Sequence, residues 1–299
     1  MKKSNYKIKT LFFGSSRSII PILEILQQNL QLAAVYTTEQ KPSDPVPSYC
    51  RSNNLPYISL VKFTTAACQH IKNINAPVAI LASFGKILPT DILNIFPKGI
   101  LNIHPSLLPK YRGPTPVQSA ILNGDPTTGV TIIKLDQKMD HGPILAQQKE
   151  PIHPTDTTES LQQRLFIKGA ETLIHALPQY LSEKIKLKDQ TENNATYTKS
   201  ILSRKDGFFD IDNPPPKKQL QHMIRAYYPW PGTWTLINFE KNKKIVKFLP
   251  SPRHPERSDS GVEGSHTKFY LQVEGGKPMS IKDFLNGYPA LKEKLKKII

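Results

Sequence analysis

The chain is poor in the residues that staple or anchor a small protein. Its 299 residues include only two cysteines, Cys50 and Cys68, in no metal-ligand spacing. That excludes a disulfide framework and suits a reducing compartment. No apolar run approaches the roughly 18 residues of a membrane span. The run Leu11-Phe12-Phe13, behind Lys2, Lys3, Lys7 and Lys9, is too short for a signal peptide. A soluble, cytoplasmic chain with no membrane partner is expected. Acid is scarce as well: 24 Asp+Glu face 40 Lys+Arg, a formal charge of +16. Such an excess points to a polyanionic partner, nucleic acid before anionic membrane. It is denser toward the carboxyl end, where residues from Glu183 onward hold 22 basic and 13 acidic side chains. A complete glycine fingerprint is missing too. Gly14-Ser15-Ser16-Arg17 follows an apolar strand, but without the further glycines of a dinucleotide site a nicotinamide or flavin cofactor is unsupported.

What is present is a globular composition, 38% hydrophobic, in a chain long enough for two domains. Apolar runs over 8–14, 32–36, 56–60 and 77–81 alternate with helical segments. That is the α/β pattern of a doubly wound, mostly parallel, Rossmann-like sheet. A fifth run, Gly99-Ile100-Leu101, leads into N-I-H-P-S-L-L-P-K-Y-R-G over 102–113. Strand side chains alternate between faces, so Asn102 and His104 point one way and Ile103 the other. Pro105 then turns the chain outward. Ligands of open α/β sheets bind at this end of the strands, where an amide beside an imidazole suits oxyanion stabilisation and proton movement. Alone, the pair reads first as a plain strand end with a satisfied surface histidine.

Further on, a helix over 116–122 and the turn Asn123-Gly124-Asp125-Pro126 precede strands over 129–135 and 144–146. The loop between those strands, D-Q-K-M-D-H-G-P-I-L, carries Asp140, which by itself reads as a turn residue. Asp156-x-x-Glu159 has the form of a capping box opening a long helix, with Pro178 bending its last turn. These elements make a domain over 1–183, followed by a polar linker over 184–205. Residues 206–299 carry short β-rich runs and a helix near 219–227, the pattern of a smaller, OB-like β-barrel. Within them, 250–266 has almost no large apolar side chain and reads as a disordered insertion. Trp230 and Trp234, held among prolines, read as packing residues.

N-I-H-P-S-L-L-P-K-Y-R-G and the later M-D-H-G-P-I-L, in that order, resemble the formyltransferase family that uses 10-formyltetrahydrofolate. The strings A-T-Y-T-K-S-I-L-S-R-K-D-G, I-R-A-Y-Y-P-W-P-G-T-W and P-M-S-I-K-D-F-L-N-G resemble the carboxyl-terminal part of its methionyl-tRNA formyltransferase branch. The resemblance implies that Asn102, His104 and Asp140 are the catalytic group. It implies that Ser106, Leu107, Leu108, Pro109, Phe84 and Gly85 contact the folate, and that 10-formyltetrahydrofolate serves as co-substrate with no metal. An initiator methionyl-tRNA would be the partner of a monomeric enzyme. Lys41, Arg112, Lys217, Lys218 and Arg225 would then contact its phosphates. One departure stands out. The family's longer glycine- and arginine-bearing loop after the second strand, which enters the acceptor stem, is here only T-T-E-Q-K-P-S-D-P-V-P, with Lys41 and no arginine. Alternative readings are a sister enzyme formylating a sugar nucleotide or small amine, a noncatalytic RNA-binding relative, and a formyltetrahydrofolate hydrolase.

Overall fold

Alternating apolar strands and helices wind the first part of the chain into one sheet in the computed structural model, which describes residues 7–199, 201–239, 242–251, 269–296 and 298. β1 (Lys9–Gly14) buries Leu11, Phe12 and Phe13 completely, each side chain contributing about 1.5–3 kcal/mol. α1 (Ile20–Asn29) follows, then β2 (Gln31–Thr37), α2 (Pro45–Ser52), β3 (Tyr57–Ser59), α3 (Thr65–Asn73) and β4 (Val78–Ala82). The short α4 (Thr90–Leu93) leads to β5 (Ile100–His104), and α5 (Pro116–Leu122) to β6 (Thr127–Lys134) and β7 (Ile144–Pro151). The sheet order is β3-β2-β1-β4-β5-β6-β7. β3 through β5 run parallel, whereas β6 and β7 are antiparallel additions on the β5 side. The order reverses between β1 and β4, where Ser15 N–H donates to the Ser83 carbonyl at 3.1 Å. This is the switch point at which such sheets open a ligand crevice.

α6 (Thr158–Leu181) covers one face and continues through Pro178 to Leu181. It begins two residues after Asp156, whose carboxylate accepts the His153 N–H at 2.7 Å. A Cβ at Gly169 would lie 2.4 Å from Ile103 Cγ2, so α6 approaches the middle of β5 as closely as backbone allows. Ile103 is thereby committed to the α6 side, which leaves Asn102 and His104 facing the other way.

By its internal contacts the chain divides into two units: Met1–Pro116, Pro126–Ile152 and Ser160–Ser200 form one, and Val117–Asp125, His153–Glu159 and Ile201–Ile299 the other. The second unit holds α7 (Lys217–Ala226) and the antiparallel sheet β8 (Thr233–Phe239), β9 (Asn242–Pro250) and β10 (Phe269–Val273), with β9 in the centre. Bridge pairs extend both edges of that sheet, Phe208 on Trp234 and Met279 on Leu271. The small β-rich domain expected there is thus three strands with single-bridge extensions among the described residues. α8 (Ile281–Gly287) and α9 (Lys292–Leu295) close its core around Phe284 and Leu295. Residues 252–266 of the expected insertion lie outside the described residues. No described helix is long and apolar enough to cross a membrane.

Candidate functional site

Asn102 and His104, both buried at the carboxyl end of β5, meet Asp140 from the loop between β6 and β7. Asn102 Nδ2 donates to Asp140 Oδ1 at 3.3 Å. His104 Nδ1 stands 3.6 Å from Asp140 Oδ2, too far for a hydrogen bond. That oxygen accepts the Gly113 N–H instead, at 2.8 Å. The other imidazole nitrogen, Nε2, lies 2.9 Å from the Tyr111 carbonyl. A carbonyl only accepts, so Nε2 carries a proton, and Nδ1 is turned toward the carboxylate. The tautomer is therefore set by Tyr111 rather than Asp140. Tyr111 and Asp140 both have left-handed backbone, φ +61° and +50°, an arrangement that side chains disfavour by roughly 1–2 kcal/mol and that neighbours must hold.

Those neighbours come from the stretch expected to be a linker. Residues 188–199 lie hydrogen-bonded across the first unit as a strap. Lys188 pairs with Ile144, and Arg112 exchanges backbone bonds with Thr196 and Thr198. Thr196 Oγ1 accepts the Tyr111 N–H at 2.9 Å. Gln190 Nε2 donates to the carbonyls of Asp140 and Gly142 at 2.8 and 2.9 Å, and Gln190 Oε1 accepts from Arg112 Nε at 3.1 Å. Arg112 itself is 1% exposed, forked onto both carboxylate oxygens of Glu192 at 2.9 and 3.0 Å and bonded to the Tyr197 hydroxyl at 3.0 Å. Burial alone would lower the Arg112 pKa, but its bonds to Glu192 and Tyr197 raise it. The same bond holds the Glu192 carboxyl below its ordinary range. Arg112 is thus corrected from a phosphate contact to an internal brace, because its donors are turned inward onto the strap. Tyr111, Gln190, Glu192 and Thr196 escape a reading of the sequence. The only hint is the A-T-Y-T alternation, which favours extended chain.

The residues expected at the folate are pinned onto β6 and β7. The Thr131 hydroxyl donates to the Ser106 carbonyl at 2.6 Å and accepts from Leu108 N–H and Gln147 Nε2 at 3.1 and 2.9 Å. Ser106 Oγ is buried and donates to the Lys110 carbonyl at 2.7 Å, and Leu108 is buried as well. Phe84 packs edge-on against Phe13 with centroids 5.5 Å apart. The side chains of Ser106, Leu108 and Phe84 are therefore spent in the interior, and the backbone of Ser106 and Leu108 is engaged as well, with Ser106 N–H on the His104 carbonyl and the Leu108 carbonyl on Gln147 Nε2. Leu107 and Pro109 are half-buried and Gly85 is exposed. Beside Gly85, Ile87 is 81% exposed, an apolar group the sequence reading did not single out. Among the described residues no cluster of three His, Cys, Asp or Glu could hold a metal.

The 37–47 segment, where the family's longer loop was expected, is tied down. Glu39 accepts the N–H groups of Ser16 and Val46 at 2.7 and 2.8 Å, and Asp44 those of Gln40 and Lys41 at 3.1 and 2.9 Å. Lys41 remains exposed. In the second unit Lys217 and Lys218 are exposed at the start of α7. Arg225 is partly buried and donates to the Asp156 carbonyl at 3.0 Å. His222 lies on the same helix, 3.3 Å from the Leu122 carbonyl. Its pKa is lowered chiefly by burial, with help from the charges of Arg225 and Lys218 and against the Leu122 bond. Trp234 donates to the Arg204 carbonyl at 2.9 Å, but Trp230 is 59% exposed, so the packing role expected for it does not hold.

The Formyl transferase family model matches residues 11–177. The chain is 38% identical over 260 residues to the methionyl-tRNA formyltransferase of Roseiflexus castenholzii, covering 83% of this chain and 82% of that one. It is 33% identical over 307 residues to that of Dictyoglomus turgidum, covering 94% and 96%. Among solved structures, an N-formyltransferase from Helicobacter canadensis in complex with folinic acid and dTDP-3-aminofucose superposes with a TM-score of 0.58 at 20% identity, covering 91% of this chain and 97% of that one. At that identity the likeness concerns the fold.

Proposed function

The chain belongs to the methionyl-tRNA formyltransferase family, and on that footing we propose that it transfers the formyl group of 10-formyltetrahydrofolate to the amino group of methionine on initiator tRNA. Residues 1–183 act as the catalytic domain and 206–299 as the tRNA-binding domain. The observation that supports the site is the meeting of Asn102, His104 and Asp140 within 3.6 Å at the crevice end of β5. In this reading the amine nitrogen attacks the formyl carbon and the carbonyl electrons move onto oxygen. Asn102 Nδ2 has a second hydrogen beyond the one given to Asp140, and it donates to that oxyanion. The intermediate then collapses, expelling the folate N10. The amine loses one proton and N10 gains one, so a group that accepts and returns a proton completes the balance. His104 Nδ1 and the Asp140 carboxylate face each other for that task. Protonating Nδ1 turns a lone pair opposed to a carboxylate into a charge-assisted donor toward it.

Leu107, Pro109, Gly85 and the exposed Ile87 supply an apolar and backbone surface for the folate rings. Lys41, Lys217 and Lys218 remain the exposed cations for tRNA phosphates. The test is a transfer assay with 10-formyltetrahydrofolate and methionine-charged initiator or elongator tRNA. Formylation of the initiator supports the reading. Formylation of neither, with folate binding intact, removes it. Formylation of an amino sugar nucleotide instead would point to the sister activity.

A further inference from the structure

The reacting group is assembled from two loops that do not touch the strap by accident. The 109–115 loop supplies the Tyr111 carbonyl to His104 Nε2 and the Gly113 N–H to Asp140 Oδ2. The 136–142 loop supplies Asp140 itself. Between them sits one side chain, Gln190, whose amide addresses both. Its two N–H bonds go to the carbonyls on either side of His141, and its oxygen goes to the Arg112 guanidinium, one residue from Tyr111 and one from Gly113. The amide has a single orientation that fits, because carbonyls require the NH2 end and a guanidinium requires the oxygen. The 136–142 loop is packed from behind as well. A Cβ at Gly142 would lie 1.9 Å from the Lys134 carbonyl, so the loop is held between β6 and Gln190. Glu192 and Tyr197 hold Arg112 in place, and His141 adds a contact of its own, with Nε2 3.8 Å from Glu192.

We propose that Gln190 is a positioning residue for the transfer reaction: by bridging Arg112 to the backbone of 140–142, it fixes the Asp140 carboxylate relative to His104 and Asn102. The inference rests on the reading of Asp140 as part of the reacting group. Gln190 touches neither substrate nor reacting atoms, and it acts through the left-handed turn at Asp140. A displacement of about 1 Å in a reacting group costs up to roughly 100-fold in rate, and that sets the size of the effect.

The experiment compares the full-length wild type with Gln190→Ala, Gln190→Glu and Asp140→Asn, using 10-formyltetrahydrofolate and methionine-charged initiator tRNA. Gln190→Ala is expected to lower kcat by about 10- to 100-fold, leaving both KM values and the near-ultraviolet circular dichroism unchanged. Gln190→Glu keeps an acceptor for Arg112 but sets carboxylate oxygen against two carbonyls, and its kcat is expected to fall at least as far. Should Gln190→Ala fail to fold, Gln190→Met, of similar length and without the amide, takes its place. A wild-type kcat in a folded Gln190 variant, with Asp140→Asn inactive, overturns the inference. So does a loss that merely tracks the unfolded fraction at the assay temperature. An active Asp140→Asn variant instead removes the site reading on which the inference stands, and the two failures are thereby told apart.

Discussion

Replacing the Asp140 carboxylate by an amide, Asp140→Asn, tests the proposed chemistry with the least change in shape. Oδ2 accepts the Gly113 N–H at 2.8 Å and Oδ1 accepts Asn102 Nδ2 at 3.3 Å. An asparagine offers one oxygen for these two donors. With its oxygen toward Gly113, the shorter bond, its NH2 group faces the NH2 of Asn102, and that pair must separate. Folding loses one charge-assisted bond and weakens another, about 1.5–3 kcal/mol for each such bond, partly offset because a carboxylate need no longer be desolvated. The rate loses more. A positioned acid or base contributes typically 100- to 10,000-fold, or about 2.7–5.4 kcal/mol at 1.36 per decade. The displaced Asn102 amide weakens the oxyanion contact too, and losses from groups acting together do not add. A fall in kcat of at least about 100-fold is therefore expected, with the KM for folate little changed. Initial rates at saturating substrates, counted as acid-stable formylmethionine on tRNA, read it out. A variant with native circular dichroism and a kcat within a few-fold of wild type would refute the reasoning.

Gly169→Ala sets a Cβ 2.4 Å from Ile103 Cγ2; overpacking of about 1–3 kcal/mol outweighs the helix-propensity gain of up to about 1 kcal/mol, so a lower urea midpoint is expected and an unchanged one counts against that contact. Lys217→Ala with Lys218→Ala removes two exposed charges from α7, and the slope of log affinity for tRNA against log salt should flatten by about one to two units; an unaltered slope would remove these lysines from the tRNA surface. The lowered pKa of His222 means the unfolded chain takes up a proton there more readily than the folded one. Its contribution to stability is complete above the unfolded value near 6.5 and is lost as pH falls through the folded value. His222→Gln should therefore flatten the decline in stability below pH 6.5, and a parallel curve for the variant would contradict this.

The strand pattern of the first unit is legible because apolar runs of β1 to β5 alternate with helices, and the facing of Asn102 and His104 follows from strand geometry alone. The approach of Asp140 does not, since it depends on two antiparallel strands folding back over 38 positions. Arg112 shows the same limit. An arginine in a basic chain reads as a phosphate contact until Glu192, 80 positions on, is seen to take its charge. Phe84 and Ser106 sit in loops expected at the folate, yet a neighbouring ring and a carbonyl draw both side chains inward. The strap itself is polar and without strong periodicity, which is how linkers look; its order comes from bonds to distant loops. What the sequence could not carry at these places is partner identity across long separations.

The strap also gives the chain an order of completion. During synthesis, the residues that would react have all left the ribosome once Asp140 emerges, but the nascent chain still lacks the segment that clasps their loops. A fragment ending at Glu183 keeps Asn102, His104 and Asp140 and has no clasp. It is expected to fold its sheet and yet turn over slowly, so competence waits on residues 188–199, the last stretch of the first unit.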